Sequence, residues 1–221
     1  VPGTYSVVYT ATDEAGNSSK LTVSVVVTKK DYTYDMLMSR IESLAKRLGI
    51  TESMSKREQI FAIYDYVNSP GKAAGNANIV FTDESNVPDI KRENWQNDWI
   101  EEAIRTVDSG EGDCYSYYSV SKAFFEYFGI ENLGIKRDES QSNMSGTHFW
   151  LMVNIGSGNA DAWYFYDATR LGGKYADKTN NGCLRTYAEL MEYSPSKASD
   201  YGFYAFDKSG YPQTATTPID R

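Results

Sequence analysis

The stretch Gly110-Glu111-Gly112-Asp113-Cys114-Tyr115-Ser116-Tyr117-Tyr118 constrains the fold more than any other part of the chain. Its glycines make a turn, and the residues beyond it fall into helical spacing: Tyr117, Val120, Phe124, Tyr127 and Phe128 recur on one face, with Gly129 as a terminator. The turn therefore delivers a cysteine to the start of a helix. A thiol there meets unpaired backbone N–H groups and the positive end of the helix dipole, and both favour the nucleophilic thiolate. The same pattern also suits a small buried hydrophobe that happens to begin a helix.

Helices are expected on either side of this stretch. Residues 34–48 place Leu37, Ile41, Leu44, Ala45 and Leu48 on one face, with Gly49 beyond the end. Ser55-Lys56-Arg57-Glu58 is a capping box that opens a helix bearing Ile60, Ile63, Tyr64 and Val67. Trp95, Trp99, Ile100, Ala103, Ile104 and Val107 mark another helix, and Thr186 to Tyr193 a short one. Residues 69–94 show no regular period. A loop of that length flanks a cleft or is a plain surface excursion.

Strands are expected at both ends of the chain. Tyr5, Val7 and Tyr9 alternate, as do Leu21, Val23, Val25 and Val27, around a polar turn at Asp13–Asn17. Such a hairpin cannot enclose a core by itself and needs a surface to pack on. Leu133–Lys136 reads as a short strand. Thr147–Ile155 and Ala162–Thr169 read as the arms of a second hairpin around Gly156-Ser157-Gly158-Asn159. A symmetric loop centred between Ser157 and Gly158 puts His148 directly opposite Asp167, on one face. Farther on, Phe203, Ala205 and Asp207 alternate with Gly202, Tyr204 and Phe206, and the last ten residues read as polar surface.

His148 is the only histidine. With Asp167 beside it and Cys114 upstream, it completes a nucleophile–base–acid set: thiolate, proton carrier and orienting carboxylate. One His and two distant Cys match no zinc spacing, and Asp83, Glu84, Asp89 and Asp177 read as solvated acids rather than a calcium loop. No metal or cofactor is expected. Cys183 is either a bystander or the partner of Cys114 in a disulfide that would remove the nucleophile.

The net charge of −8 argues against nucleic-acid partners, since nothing supplies a basic patch. No apolar run reaches membrane-spanning length. The 18 Tyr and 4 Trp suit surfaces that touch polymers.

Gly112-Asp113-Cys114 opening a helix, His148-Phe149-Trp150 on a strand and Asp167-Ala168-Thr169 on the next together resemble the transglutaminase-like (papain-like) superfamily, over roughly residues 34–211. The closing Tyr204-Ala205-Phe206-Asp207-Lys208-Ser209, followed by Tyr211-Pro212, is similar to bacterial members. Ala168 stands where the family often has proline, and Phe149 where it often has a small residue. The resemblance implies an α+β fold, with the cysteine helix packed on an antiparallel sheet that carries His and Asp. It also implies thiol chemistry on amide bonds. Pro2-Gly3-Thr4-Tyr5 through Gly16-Asn17 resembles the closing strands of bacterial surface immunoglobulin-like repeats.

The expected organisation is thus the end of an immunoglobulin-like domain over 1–30 and a catalytic domain over 31–221. The expected parent is an extracellular or wall-associated protein with further such domains. The expected function is a cysteine hydrolase or acyltransferase acting on peptide or cell-wall amides through Cys114, His148 and Asp167. A cross-linking transglutaminase and an inactive surface-binding module stay open as alternatives. The Cys114 backbone N–H is a natural half of an oxyanion hole. Trp95, Gln96, Trp99, Trp150 and Tyr115 are the candidates for a second donor or for substrate contact.

Overall fold

The computed structural model describes residues 3–27, 31–68, 80–81, 92–143, 146–157, 160–169, 182–193 and 202–220. The chain divides into two units, Val1–Tyr32 and Thr33–Arg221. No described helix is long and apolar enough to cross a membrane.

The first unit is a hairpin of β1 (Gly3–Thr12) and β2 (Ser18–Val27). Tyr5 pairs with Val25, Val7 with Val23 and Tyr9 with Leu21, which gathers the apolar side chains on one face. Asp13 closes the turn by accepting from the Asn17 backbone and side-chain N–H groups, and Gly16 takes the left-handed conformation that the reversal needs. Every residue of both strands is exposed.

The second unit is α+β. Its helices begin and end where side chains supply the missing backbone partners. In α1 (Tyr34–Leu48) the Thr33 hydroxyl accepts the Met36 N–H, and Gly49 turns left-handed at the other end. In α2 (Lys56–Asn68) Ser55 and Glu58 exchange hydrogen bonds as a capping box. Each such cap contributes about 1 kcal/mol. Helix α3 (Trp95–Ser109) stops at Gly110, also left-handed, whose N–H reaches the Thr106 carbonyl. Helix α4 (Cys114–Tyr127) follows after only a two-residue strand, β4 (Glu111–Gly112).

Helix α4 is the centre of the unit. It is buried from Cys114 through Ser121 on every side, with the small hydroxyls of Ser116, Ser119 and Ser121 enclosed among aromatic and aliphatic side chains. Helices α1, α2 and α3 pack against it, and so do the strands at Asn132–Lys136 and Phe149–Asn154.

The sheet is antiparallel, in the order β5 (Asn132–Lys136), β6 (Phe149–Asn154), β7 (Trp163–Tyr166). Its α4 face carries Phe149 against Tyr115, and Tyr166 against Phe125 and Tyr64. Its other face carries Trp150, Met152, Trp163 and Phe165, packed with Ile135, Leu190, Phe203, Tyr204 and Phe206. With both faces covered, β6 is buried along its whole length. Helix α5 (Tyr187–Tyr193) lies beyond β7, its start capped by Thr186 and Glu189.

Three sequence expectations change. Tyr166 pairs with Leu151, where a loop centred between Ser157 and Gly158 would have paired it with Phe149; the turn sits one residue further on, with Ser157 bridged to Ala160. His148 and Asp167 are therefore not directly opposite each other, and both lie just outside their strands. Within 69–94, Val80–Phe81 forms β3, paired in parallel with β4, and Arg92–Asn94 is a single 3-10 turn. The rest of that span lies outside the described residues, as do Asp83, Glu84, Asp89 and Asp177. The alternation at 202–207 does not make a strand: Gly202 to Tyr204 is a turn with Gly202 left-handed.

Candidate active site

Cys114 opens α4 because Gly112 and Asp113 make that start possible. A Cβ on Gly112 would fall 2.2 Å from the Ser116 Cβ, so only glycine lets the turn close on the helix. Asp113 caps the helix by accepting from the N–H groups of Tyr115 and Ser116, while the Ser116 hydroxyl returns a bond to the Asp113 N–H. The cap thus uses the N–H groups of Tyr115 and Ser116, not that of Cys114.

A carboxylate at a helix N-terminus works against a neighbouring thiolate, but Asp113 is ion-paired with Arg92 and its charge is largely offset. Beneath it, the buried Glu102 accepts from Ser116 and Thr106 and pairs with Arg105. The start of α4 is held from below by this network.

His148 precedes β6 and Asp167 follows β7. Nε2 of His148 stands 2.8 Å from Oδ2 of Asp167, and both residues are 4 % exposed. Burial pushes the Asp167 carboxyl pKa up. The facing His148 charge and the hydrogen bonds from His148 and Thr169 outweigh that and hold it below its ordinary value. An ionised carboxylate only accepts, so the imidazole proton resides on Nε2 and Nδ1 is left as the basic nitrogen.

The Cys114 thiol lies 3.7 Å from the carbonyl of Thr147, the residue before His148, and Cys114 is 7 % exposed. The thiol at the start of α4 thus lies beside the residue that leads into His148, at the end of the sheet where His148 and Asp167 pair.

The structure adds residues that the sequence pattern did not single out for this site. The Tyr204 hydroxyl donates to the same Asp167 oxygen at 2.8 Å. Phe203 lies against His148, with ring centroids 4.8 Å apart. Arg137 is buried and ties the local backbone together. Its N–H reaches the His148 carbonyl at 2.8 Å, Nε the Phe203 carbonyl at 2.9 Å and Nη1 the Gly146 carbonyl at 3.0 Å. Burial lowers the Arg137 pKa, while its interaction with the ionisable groups of Cys114, Asp167 and Tyr204 opposes that shift, which places this cation within electrostatic range of both ends of the constellation. Gly182 accepts the Asp167 N–H through its carbonyl at 2.7 Å.

The other candidates take varied positions. Trp150 is 1 % exposed and stacks on His148 at 5.6 Å; its indole N–H has no partner among the described residues. Tyr115 is fully buried and donates its hydroxyl to the Trp95 carbonyl. Trp95 packs against Tyr118 and Phe149. Trp99 lies between Tyr34 and the ammonium of Lys122. Gln96 is exposed on the first turn of α3. Of these five, only Trp150 touches the histidine.

Cys114 and Cys183 are both buried and are not joined to each other in a disulfide; Cys183 lies next to Gly182. Among the described residues no cluster of three or more His, Cys, Asp and Glu is placed to hold a metal ion. Two hollows in this unit, of about 490 and 580 Å3, are bounded by other residues. No protein-family model matches the chain, and no curated protein matches it either.

Proposed function

We propose that the second unit is a thiol enzyme of the transglutaminase-like type, with a papain-like core, that attacks the carbonyl carbon of peptide or cell-wall amides. The observation that carries this reading is the buried 2.8 Å pair of His148 and Asp167 beside the cysteine that begins α4. His148 Nδ1 takes the Cys114 proton, and sulfur forms a bond to the amide carbon. The Cys114 N–H faces the developing oxyanion. Collapse of the tetrahedral intermediate breaks the C–N bond, and the imidazolium gives its proton to the leaving amine. Water then resolves the thioester to an acid; an amine nucleophile would instead form a new amide. Asp167 holds the ring and stabilises the imidazolium throughout.

The immunoglobulin-like resemblance of the hairpin supports a secreted or wall-associated setting, with wall polymer or surface protein as substrate. One observation favours the alternative of a binding module that keeps the fold without the activity: Cys114, His148 and Asp167 are all at least nine-tenths shielded from solvent.

Alkylation of Cys114 by iodoacetamide as a function of pH, with His148→Ala in parallel, separates the two readings. A Cys–His pair gives a thiol that reacts well below the free value of about 8.5 and loses this in the variant. Inertness, or a profile unchanged in His148→Ala, overturns the enzyme reading. Ammonia release from glutamine amides with and without an added amine then distinguishes hydrolysis from transfer.

A further inference from the structure

We propose that the hollow between α5 and the C-terminal segment is a binding site for a small aryl- or alkyl-carboxylate. This goes beyond the thiol chemistry and does not depend on it. The hollow holds about 490 Å3, within the range of roughly 300–1,000 Å3 typical of small-molecule sites. Met152 and Phe165 supply apolar walls from the sheet face away from α4, Phe206 adds one from the segment packed on that face, and Tyr187 and Tyr211 add aromatic walls.

The hollow has a structural origin. Beyond β7, the backbone at Arg185 pairs with Phe165, while the backbone at Thr214 pairs with Trp163 from the other chain direction. These two segments diverge from the strand edge, and the space between them is the hollow. Aromatic side chains wall it, and the backbone groups of Phe165 are already paired with Arg185. A rigid apolar body therefore fits it better than another strand would.

The charge of the hollow selects the occupant. Among the described residues Lys208 is the only charged one on its wall, in a protein with net charge −8. Its ammonium stands 3.5 Å from the centroid of the Tyr187 ring and makes no ion pair with a carboxylate among the described residues. A cation resting on an aromatic face at the edge of an apolar space can still take a carboxylate, because the ring satisfies it only from one side. A ligand with an apolar body and one carboxylate fills both demands together.

The test uses the whole chain carrying Cys114→Ala, so that no acylation contributes, and two probes of equal shape: 3-phenylpropanoate and 3-phenylpropanamide. Affinities are read from amide chemical shifts at Tyr187, Lys208 and Thr214. The carboxylate is expected to bind about fivefold more tightly than the amide, the upper range for an exposed charge pair. Lys208→Met removes that preference and leaves the amide affinity unchanged, and Ala188→Trp, which fills the hollow, abolishes binding of both. Absence of shifts at these amides, equal affinity for the two probes, or a preference that survives Lys208→Met overturns the assignment. Circular dichroism of each variant shows that the fold is retained, and Lys208 is an exposed position whose replacement leaves the core untouched.

Discussion

His148 Nε2 and Asp167 Oδ2 stand 2.8 Å apart, and neither residue belongs to the strand beside it. The strands fix where the chain enters and leaves, and the pair forms across the gap just past their ends. A hydrogen bond placed there is held by its surroundings rather than by a ladder. The consequences can be tested residue by residue.

Asp167→Asn keeps the size of the side chain and removes the charge. An amide can donate as well as accept, so the Nε2-protonated tautomer is no longer enforced, and the imidazolium of the proposed reaction loses its counter-charge. Turnover is expected to fall roughly a thousandfold to ten-thousandfold, as for the carboxylate of a serine triad. Single-turnover kinetics with an activated amide checks this. A drop under tenfold sinks the orienting role of Asp167.

The same carboxyl makes stability depend on acid. Its folded-state pKa lies below the ordinary 3.8, so the unfolded chain binds that proton more readily than the folded one. The resulting stabilisation is fully present above the ordinary value and is lost as pH falls through the lower folded value. Urea unfolding between pH 6 and 2.5 is expected to show wild type losing stability faster than Asp167→Asn below pH 4 or so. Parallel curves for the two proteins would mean that Asp167 is not held ionised by its neighbours.

The pairing of His148 with Asp167 was legible in the sequence for a reason that survives an error in register. Side chains alternate with period two along a strand, and the observed turn shifts the pairing by two residues, as Tyr166 opposite Leu151 rather than Phe149 shows. A slip of two leaves both residues on the face they were expected to share. Helix limits were legible because caps are local: Glu58, Gly49 and Gly110 each act within a few residues of where they stand, whereas the caps at Thr33 and Asp113 emerged only in the structure. Tyr204 and Arg137 were not legible as site residues. Tyr204 reaches Asp167 across 37 positions, and Arg137 reaches Phe203 across 66. No periodicity announces a contact of that kind. The tryptophans show the opposite limit: an aromatic near a cysteine helix reads alike whether it faces a substrate or, as Trp99 does, a lysine ammonium.

Tyr204→Phe removes one donor from a buried carboxylate and little else, since the ring still packs on Trp150 and Phe203. The loss is expected to cost about 1.5–3 kcal/mol of stability, the range for a hydrogen bond to a charged group. Turnover should fall by less than in Asp167→Asn, because His148 keeps its partner. Chemical denaturation alongside kinetics checks both. A stability change below 0.5 kcal/mol or so would place the Tyr204 hydroxyl outside the network.

Gly182 is a quieter test of the same geometry. A Cβ there would fall 1.8 Å from the Asp167 carbonyl oxygen, which already caps the space. Gly182→Ala must push the Asp167 backbone away, at an expected cost of about 1–3 kcal/mol for overpacking. It should also lose activity beyond what the stability change explains. Gly210→Ala meets nothing within 4 Å and serves as the control, expected to leave turnover intact. Equal activity in the two variants would show that the site tolerates displacement of Asp167.

Arg137 joins the two halves of the site, so its replacement should separate packing from charge. Its three carbonyl contacts hold Gly146, His148 and Phe203 in place, and the guanidinium also lies over the Phe203 ring at 4.7 Å. Arg137→Met keeps the stem and removes the donors and the charge, leaving the buried Phe203 carbonyl and the exposed Gly146 carbonyl without these side-chain partners. A loss of roughly 1–3 kcal/mol is expected from the buried one alone. Arg137→Lys keeps the charge but cannot span both carbonyls, because an ammonium lacks the planar fork. The cation favours the thiolate of Cys114 through space, so the alkylation profile of Cys114 should move to higher pH in Arg137→Met and remain near wild type in Arg137→Lys, although both are less stable. Equal shifts in the two variants would assign the effect to lost backbone order; an unmoved profile in both would show that the thiolate does not sense this charge.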